Sequence, residues 1–165
     1  NSFDEIINHL DSDIKNLFFS SGYLEKYETN IKKIEYVNYL GPKIFIEKIL
    51  RTRNLNKIIA ITSISADRID YNKKVYSRSK KLFTEFLRSL IRLDKNDLKI
   101  KIIKPGYVKT KMIKNLNIPS ILTISPKKLS QQIFKKIDTD QTELVIPHYW
   151  KMIIFIFNLI FFYKK

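Results

Sequence analysis

Ser63, Tyr76 and Lys80 are residues whose types and spacing could do chemistry. Tyr76 and Lys80 stand four apart in a segment of helical periodicity, so both side chains fall on one face about one turn apart. A phenol with its ordinary pKa near 10 is a poor acid–base group at neutral pH. A neighbouring ammonium favours phenolate and brings that pKa toward the working range. Ser63, thirteen residues before Tyr76, closes an apolar run and offers an O–H that can polarise a carbonyl beside the phenol. The set suits moving a proton at an alcohol or ketone oxygen while a cofactor moves hydride at carbon. The same Tyr-x-x-x-Lys spacing recurs at Tyr39/Lys43 and Tyr107/Lys111, but the residues thirteen earlier are Lys26 and Asp94, so the serine marks Tyr76 alone.

The elements that must position these residues can be read from periodicity. Ser2 with Glu5 reads as a capping box opening a short helix with Phe3, Ile6, Ile7 and Leu10 on one face. Ile14–Phe19 reads as a strand running into a turn at Ser20-Ser21-Gly22. From about Ile31 to Leu50, the positions Ile34, Val37, Leu40, Ile44, Phe45 and Ile49 recur at helical spacing, with a kink expected at Gly41-Pro42. Lys57–Ser63 is a nearly continuous apolar run, the pattern of a buried parallel strand. Val75 to about Leu93 predicts a long helix whose apolar stripe is Leu82, Phe83, Phe86, Leu87, Leu90 and Ile91. Leu98–Ile103 is a further strand stopped by Pro105-Gly106. Ser125-Pro126 opens a helix to about Ile137, and Glu143–Ile146 is a last strand. Alternating strands and helices imply an α/β fold, a Rossmann-like parallel sheet with helices on both faces. Ligands in such sheets sit outside the carboxyl ends of the strands.

Composition bounds the function classes. The chain has 165 residues, enough for one domain, and its net charge is +15. Only 3 glycines leave no room for a G-x-G-x-x-G or G-x-x-x-x-G-K phosphate loop, and zero Cys removes disulfides, thiolate metal sites and cysteine nucleophiles. A basic balance allows a solvated surface, an anionic membrane or nucleic acid as its reason. The lysines are scattered, with no block of about 5–8 Lys/Arg, so no specific nucleic-acid partner is expected. His9 and His148 lack ligand-spaced companions, so no metal site is expected. The sequence starts Asn1-Ser2-Phe3 without Met or a secretory h-region, and is read either as processed or as starting inside a longer frame.

With these residues set out, the sequence resembles the short-chain dehydrogenases/reductases. Ile61-Thr62-Ser63-Ile64-Ser65 and Val75-Tyr76-Ser77-Arg78-Ser79-Lys80 are similar to that family's serine strand and Y-x-[AS]-S-K helix. Asn38 in Val37-Asn38-Tyr39 matches the helix Asn of the family's proton relay, and Pro105-Gly106-Tyr107-Val108-Lys109-Thr110 matches its PG-x-[VI]-x-T loop. Phe19-Ser20-Ser21-Gly22 stands where the family has N-N-A-G. The three glycines, Gly22, Gly41 and Gly106, each fall inside one of these matched elements. The family's T-G-x-x-x-G-x-G fingerprint and its first three strands are absent, which suggests the C-terminal part of a longer protein with Ile14–Phe19 as an apolar edge.

The resemblance implies an NAD(P)-dependent alcohol/ketone oxidoreductase with catalytic Tyr76, Lys80, Ser63 and Asn38. It also implies NAD or NADP, the latter slightly preferred, held by Ser21, Gly22, Tyr76, Lys80, Pro105, Gly106, Val108 and Thr110, with Lys104 beside the nicotinamide. The alternative is an inactive remnant or an interaction module.

The expected organisation is a catalytic domain over residues 1–148 and a hydrophobic tail over 149–165. Met152–Tyr163 is twelve residues long with one polar interruption, short of the roughly 20 that span a bilayer. Its flanks Tyr149, Trp150, Lys151, Lys164 and Lys165 suit a membrane interface, and the competing reading is core packing or a homo-oligomer contact. The P-x-x-W segment resembles reductases of lipid-linked keto-sugars. Expected partners are therefore a small-molecule or lipid-linked ketone or alcohol and a membrane surface, with a cytoplasmic location at the inner face of a membrane.

Overall fold

Four strands, β1 (Asn16–Phe19), β2 (Lys57–Ile61), β3 (Lys99–Pro105) and β6 (Glu143–Ile146), pair side by side in parallel in the order β1-β2-β3-β6. The description rests on a computed structural model and covers residues 2–25, 27–68, 74–93, 98–114 and 116–162. Register is set by Leu17↔Ile58, Ile58↔Ile100 and Ile103↔Leu144. Helical crossovers join β1 to β2, β2 to β3 and β3 to β6, and all four carboxyl ends therefore lie along one edge. The expected α/β architecture is the observed one. A two-stranded parallel ladder of β4 (Tyr107–Val108) and β5 (Thr123–Ile124) is an addition that periodicity could not show, because two-residue strands have no period.

Alternation along the strands splits the core into two layers. Ile58, Ala60, Ile100 and Ile102 face α1 (Ser2–His9), α3 (Gly41–Thr52) and α4 (Lys74–Leu93), packing with Ile7, Ile46, Ile49, Phe83 and Leu87. Ile59, Ile103, Leu144 and Ile146 face α5 (Pro126–Lys136) through Leu129 and Ile133. Each fully buried Ile or Leu contributes about 1.5–3 kcal/mol over its exposed state. β1 forms one edge of the sheet, with Phe18 half exposed, and β6 the other. The side chain of Ser2 and residues 163–165, named in the capping-box and tail readings, lie outside the described residues.

The helix expected from Ile31 to Leu50 is present, but its irregularity comes before Gly41-Pro42. Helix α2 (Ile31–Glu35) runs into one π-turn (Tyr36–Leu40) and continues as α3. Pro42 has no N–H for the carbonyl of Asn38 and its ring would crowd that carbonyl; a wider turn relieves the clash, and Gly41 N–H donates to Tyr36 O, five residues back. The extra residue shifts the helical phase. Asn38 and Gly41 turn inward and Leu40 outward, in place of the expected Val37 and Leu40. On α4 the expected Leu82 is largely exposed, and Thr84 takes an inward position with Oγ1 donating to Lys80 O at 2.9 Å.

Candidate active site

The buried stripe of α4 runs Tyr76, Lys80, Phe83, Thr84 and Leu87. Phe83 and Leu87 pack on the sheet, and the same stripe carries Tyr76 and Lys80 past its carboxyl edge. The start of α4 is held from a distance: the Glu28 carboxylate accepts from the N–H groups of Val75 (3.1 Å) and Tyr76 (2.8 Å). Glu28 has φ 52°, a left-handed backbone uncommon outside glycine, and the two bonds to the helix start hold it there. This anchor lies 48 residues away in sequence and gave no local signal.

β2 ends at Ile61, and Thr62 continues toward β3 by donating its N–H to Ile103 O at 2.7 Å. Ser63 then turns the chain, its Oγ accepting from Ser65 N–H at 3.1 Å. Burial pushes the Tyr76 phenol above its ordinary pKa, a hydrogen bond with Ser63 pulls the other way, and the nearby Tyr107 adds to the rise. Burial is the largest influence on the phenol, so its net shift is upward rather than the expected lowering. Burial also lowers Lys80, to about 8. The Lys80 ammonium donates to Ser21 O at 3.1 Å, so Ser21 contributes through its backbone carbonyl. Its hydroxyl is at 3.5 Å from Val37 O.

Asn38 sits in the π-turn with no exposed surface. Its Oδ1 accepts from Tyr23 N–H at 3.0 Å, and its Nδ2 donates to Tyr23 O at 2.7 Å and Ile34 O at 2.8 Å. The side chain is therefore a clamp that pins the segment after β1 to the helix, below Lys80. Gly22 lies between them: a Cβ there would stand 3.6 Å from Lys80 Nζ and 3.8 Å from Asn38 Oδ1.

These groups meet at a cavity of about 380 Å³ over the carboxyl edge, lined by Ser63, Tyr76 and Lys80 together with Ser21, Gly22, Pro105, Gly106, Val108 and Thr110. The eight residues expected to hold the cofactor, Ser21, Gly22, Tyr76, Lys80, Pro105, Gly106, Val108 and Thr110, line it, and Asn38 stands behind the wall. The rest of the lining is apolar, with Met112, Ile113 and Leu116 from the loop after β4 and Leu129 and Ile133 from α5, residues in which no motif could be read. Tyr107 also lines it, its hydroxyl accepting from Arg68 Nη2 at 3.2 Å.

Lys104 is a correction. It follows Ile100 and Ile102 on the α4 face of β3, away from the cavity, and is buried in an ion pair with Asp67 (2.7 Å) and Glu143 (2.7 Å). Glu143 in turn binds Arg88 of α4. Burial pushes the Glu143 carboxyl up, but hydrogen bonds from Arg88 and Lys104 overcome this and hold it at about 2. The network ties the turn that carries Ser63 to two strands and α4.

The family model for the short chain dehydrogenases matches residues 19–120. The chain belongs to the short chain dehydrogenase family. Members of this family are NAD(P)-dependent oxidoreductases acting on CH–OH groups. Solved short-chain dehydrogenases share the fold at low identity. One from Burkholderia cenocepacia J2315, in complex with NADP, aligns with TM-score 0.76 and 16% identity over 92% of this chain and 68% of that one. One from Streptomyces avermitilis gives 0.74 and 14% over 99% and 72%. A 4-hydroxyisoleucine dehydrogenase complexed with NADH gives 0.61 and 19% over 80% and 66%. This short-chain dehydrogenase thus spans about two thirds to three quarters of the length of the structures it matches. A comparison with curated protein sequences gives no match.

Proposed function

We propose that the chain interconverts an alcohol and a ketone with NAD or NADP, on an apolar, membrane-associated or lipid-linked substrate. The observation that carries the reading is the buried Tyr76 phenol, lining a largely apolar cavity together with Ser63 and with Lys80 one helical turn along.

The nicotinamide–ribose end of such a cofactor fits the residues present. Lys80 is a buried ammonium with three N–H donors and one carbonyl partner among the described residues, which leaves donors for hydroxyls in the cavity it lines. Pro105, Gly106, Val108 and Thr110 supply the wall beside it. The neighbours solved with NADP and with NADH support either dinucleotide. When bound, the nicotinamide supplies or takes up hydride at the carbinol carbon. In reduction, the Ser63 hydroxyl donates a hydrogen bond to the ketone oxygen and Tyr76 delivers its phenolic proton there. The C=O bond becomes C–OH, and the phenolate regains its proton from solvent. In oxidation the phenolate accepts the alcohol proton. The positive charge of Lys80 stabilises the phenolate in both directions.

Burial favours the neutral phenol, the form needed to donate. The apolar wall of Met112, Ile113, Leu116, Leu129 and Ile133 favours a substrate whose remainder is hydrocarbon. A second reading rests on the sequence's lack of a G-x-x-x-G-x-G loop: the chain would keep the catalytic groups without its own phosphate site. Titrating NADPH and NADH against the chain by nicotinamide fluorescence separates the two. Saturable binding supports the enzyme, and its absence supports the second reading.

A further inference from the structure

Helix α6 (Trp150–Phe162) carries two apolar faces and, among the described residues, packs one of them on the protein. Its inward seam begins with Trp150 and Ile154, which pack with Ile64 and Val145. It ends with Asn158, whose Nδ2 donates to Asp67 O at 3.2 Å. Asn158 is the single polar residue of Met152–Phe162, and it is spent on this inward anchor. The outward stripe is Met152, Phe155, Ile156 and Leu159, spaced i, i+3, i+4, i+7, with exposures of 64%, 64%, 47% and 42%.

The stripe continues onto the loop that covers the cavity. Tyr149, 39% exposed, donates its hydroxyl to the carbonyl of Ile121 at 3.3 Å, and Ile121 is 82% exposed. The same loop supplies Met112, Ile113 and Leu116 to the cavity wall. Its charges have one sign. Lys109, Lys111 and Lys114 on the loop and Lys151 at the start of α6 are exposed, and the sequence has no Asp or Glu in residues 98–137 or 144–165.

We propose that this face, α6 with the tip of the 109–121 loop, docks on an anionic phospholipid bilayer. Charge complementarity selects that occupant. A lysine-bearing surface whose own segments carry no carboxylate attracts anionic headgroups, while an apolar stripe enters the boundary below them. A helix of 13 residues is about 20 Å long and lies in the interface. Among the described residues no helix is long and apolar enough to cross a membrane. Docking places the cavity loop at the lipid surface, which gives the apolar substrate class proposed above a route of entry. The docking itself rests on the surface alone and stands or falls without the catalytic reading.

The test is co-sedimentation of the full chain with large unilamellar vesicles of phosphatidylcholine alone or mixed with phosphatidylglycerol, with no cofactor or substrate present. The expected result is at least about tenfold stronger binding to the anionic vesicles, weakened by added salt. Phe155→Glu with Leu159→Glu abolishes binding, and both side chains are exposed, so the far-ultraviolet circular dichroism and melting point stay unchanged. Lys109→Glu with Lys111→Glu removes the anionic preference and leaves the fold intact. Equal binding of wild type and the Phe155/Leu159 variant overturns the proposal. So does a wild-type chain that ignores anionic vesicles and sediments as a dimer that this variant dissociates, since a second copy would then cover the face.

Discussion

Tyr76 and Lys80 sit on the stripe that carries Phe83 and Leu87 into the core, so the burial that perturbs them is built into the helix rather than added by a ligand. The two shifts separate their titrations. Burial raises the phenol above its ordinary value and lowers the ammonium to about 8. The alkaline limb of kcat/KM therefore belongs to Lys80. Activity falls about tenfold per pH unit above pH 8, and Lys80→Arg, which keeps its charge, removes that limb while lowering turnover. A pH–rate profile checks this. For stability the sign is opposite: the folded Lys80 pKa lies below 10.5, so its burial cost is full below pH 8 and fades as pH rises toward the unfolded value.

Gly106 is set by contact. A Cβ there would stand 2.0 Å from Nε1 of Trp150, whose ring is buried and cannot swing aside. Gly106→Ala should cost about 1–3 kcal/mol by overpacking, read as a lower denaturation midpoint with an unchanged slope.

At the scale of elements, what could be read in the sequence depended on whether the signal was local. The strands and the long α4 helix were legible because runs such as Lys57–Ile61 and the stripe around Phe83 and Leu87 keep one period throughout. The phase of the Asn38 helix was not, because a single π-turn caused by Pro42 shifts the burial by one residue and no apolar count registers it. Lys104 was misread for a related reason. Its place beside Pro105-Gly106 suggested the cavity, but strand alternation puts it on the α4 face with Ile100 and Ile102. Glu28 was invisible, since its capping role depends on a contact across 48 residues.

The buried network of Lys104, Asp67, Glu143 and Arg88 belongs to this scale, because it joins β3, β6, α4 and the turn after Ser63. Lys104→Met leaves Asp67 without its cation and should destabilise the fold by about 2–4 kcal/mol, the lower part reflecting the partly exposed carboxylates. Glu143, held at about 2 against an ordinary 4.5, contributes stability that is complete above pH 4.5 and lost as pH falls toward 2. Lys104→Met should flatten that acid decline in a series of urea melts.

At the scale of the whole molecule, parallel strands collect Ser21, Ser63 and Gly106 at one edge, and the crossover helix α4 lays Tyr76 and Lys80 over it. Topology alone converts residues spread across 86 positions of sequence into one cavity. The motifs were legible because each falls where a strand ends. The apolar lining was not, because Met112, Ile113 and Leu116 come from a loop without period and reach the cavity through the short β4–β5 ladder.

The central claim is that Tyr76 transfers the proton when a ketone is reduced. Its most direct test supplies deuterated NADPH or NADH and hydrophobic ketones to the chain and to Tyr76→Phe. Deuterium appearing at the carbinol carbon is followed together with cofactor affinity. The account predicts deuterium transfer by the wild type. The variant should bind cofactor as tightly and react at least about a thousandfold more slowly. Undiminished transfer by Tyr76→Phe, or none by the wild type, would contradict it.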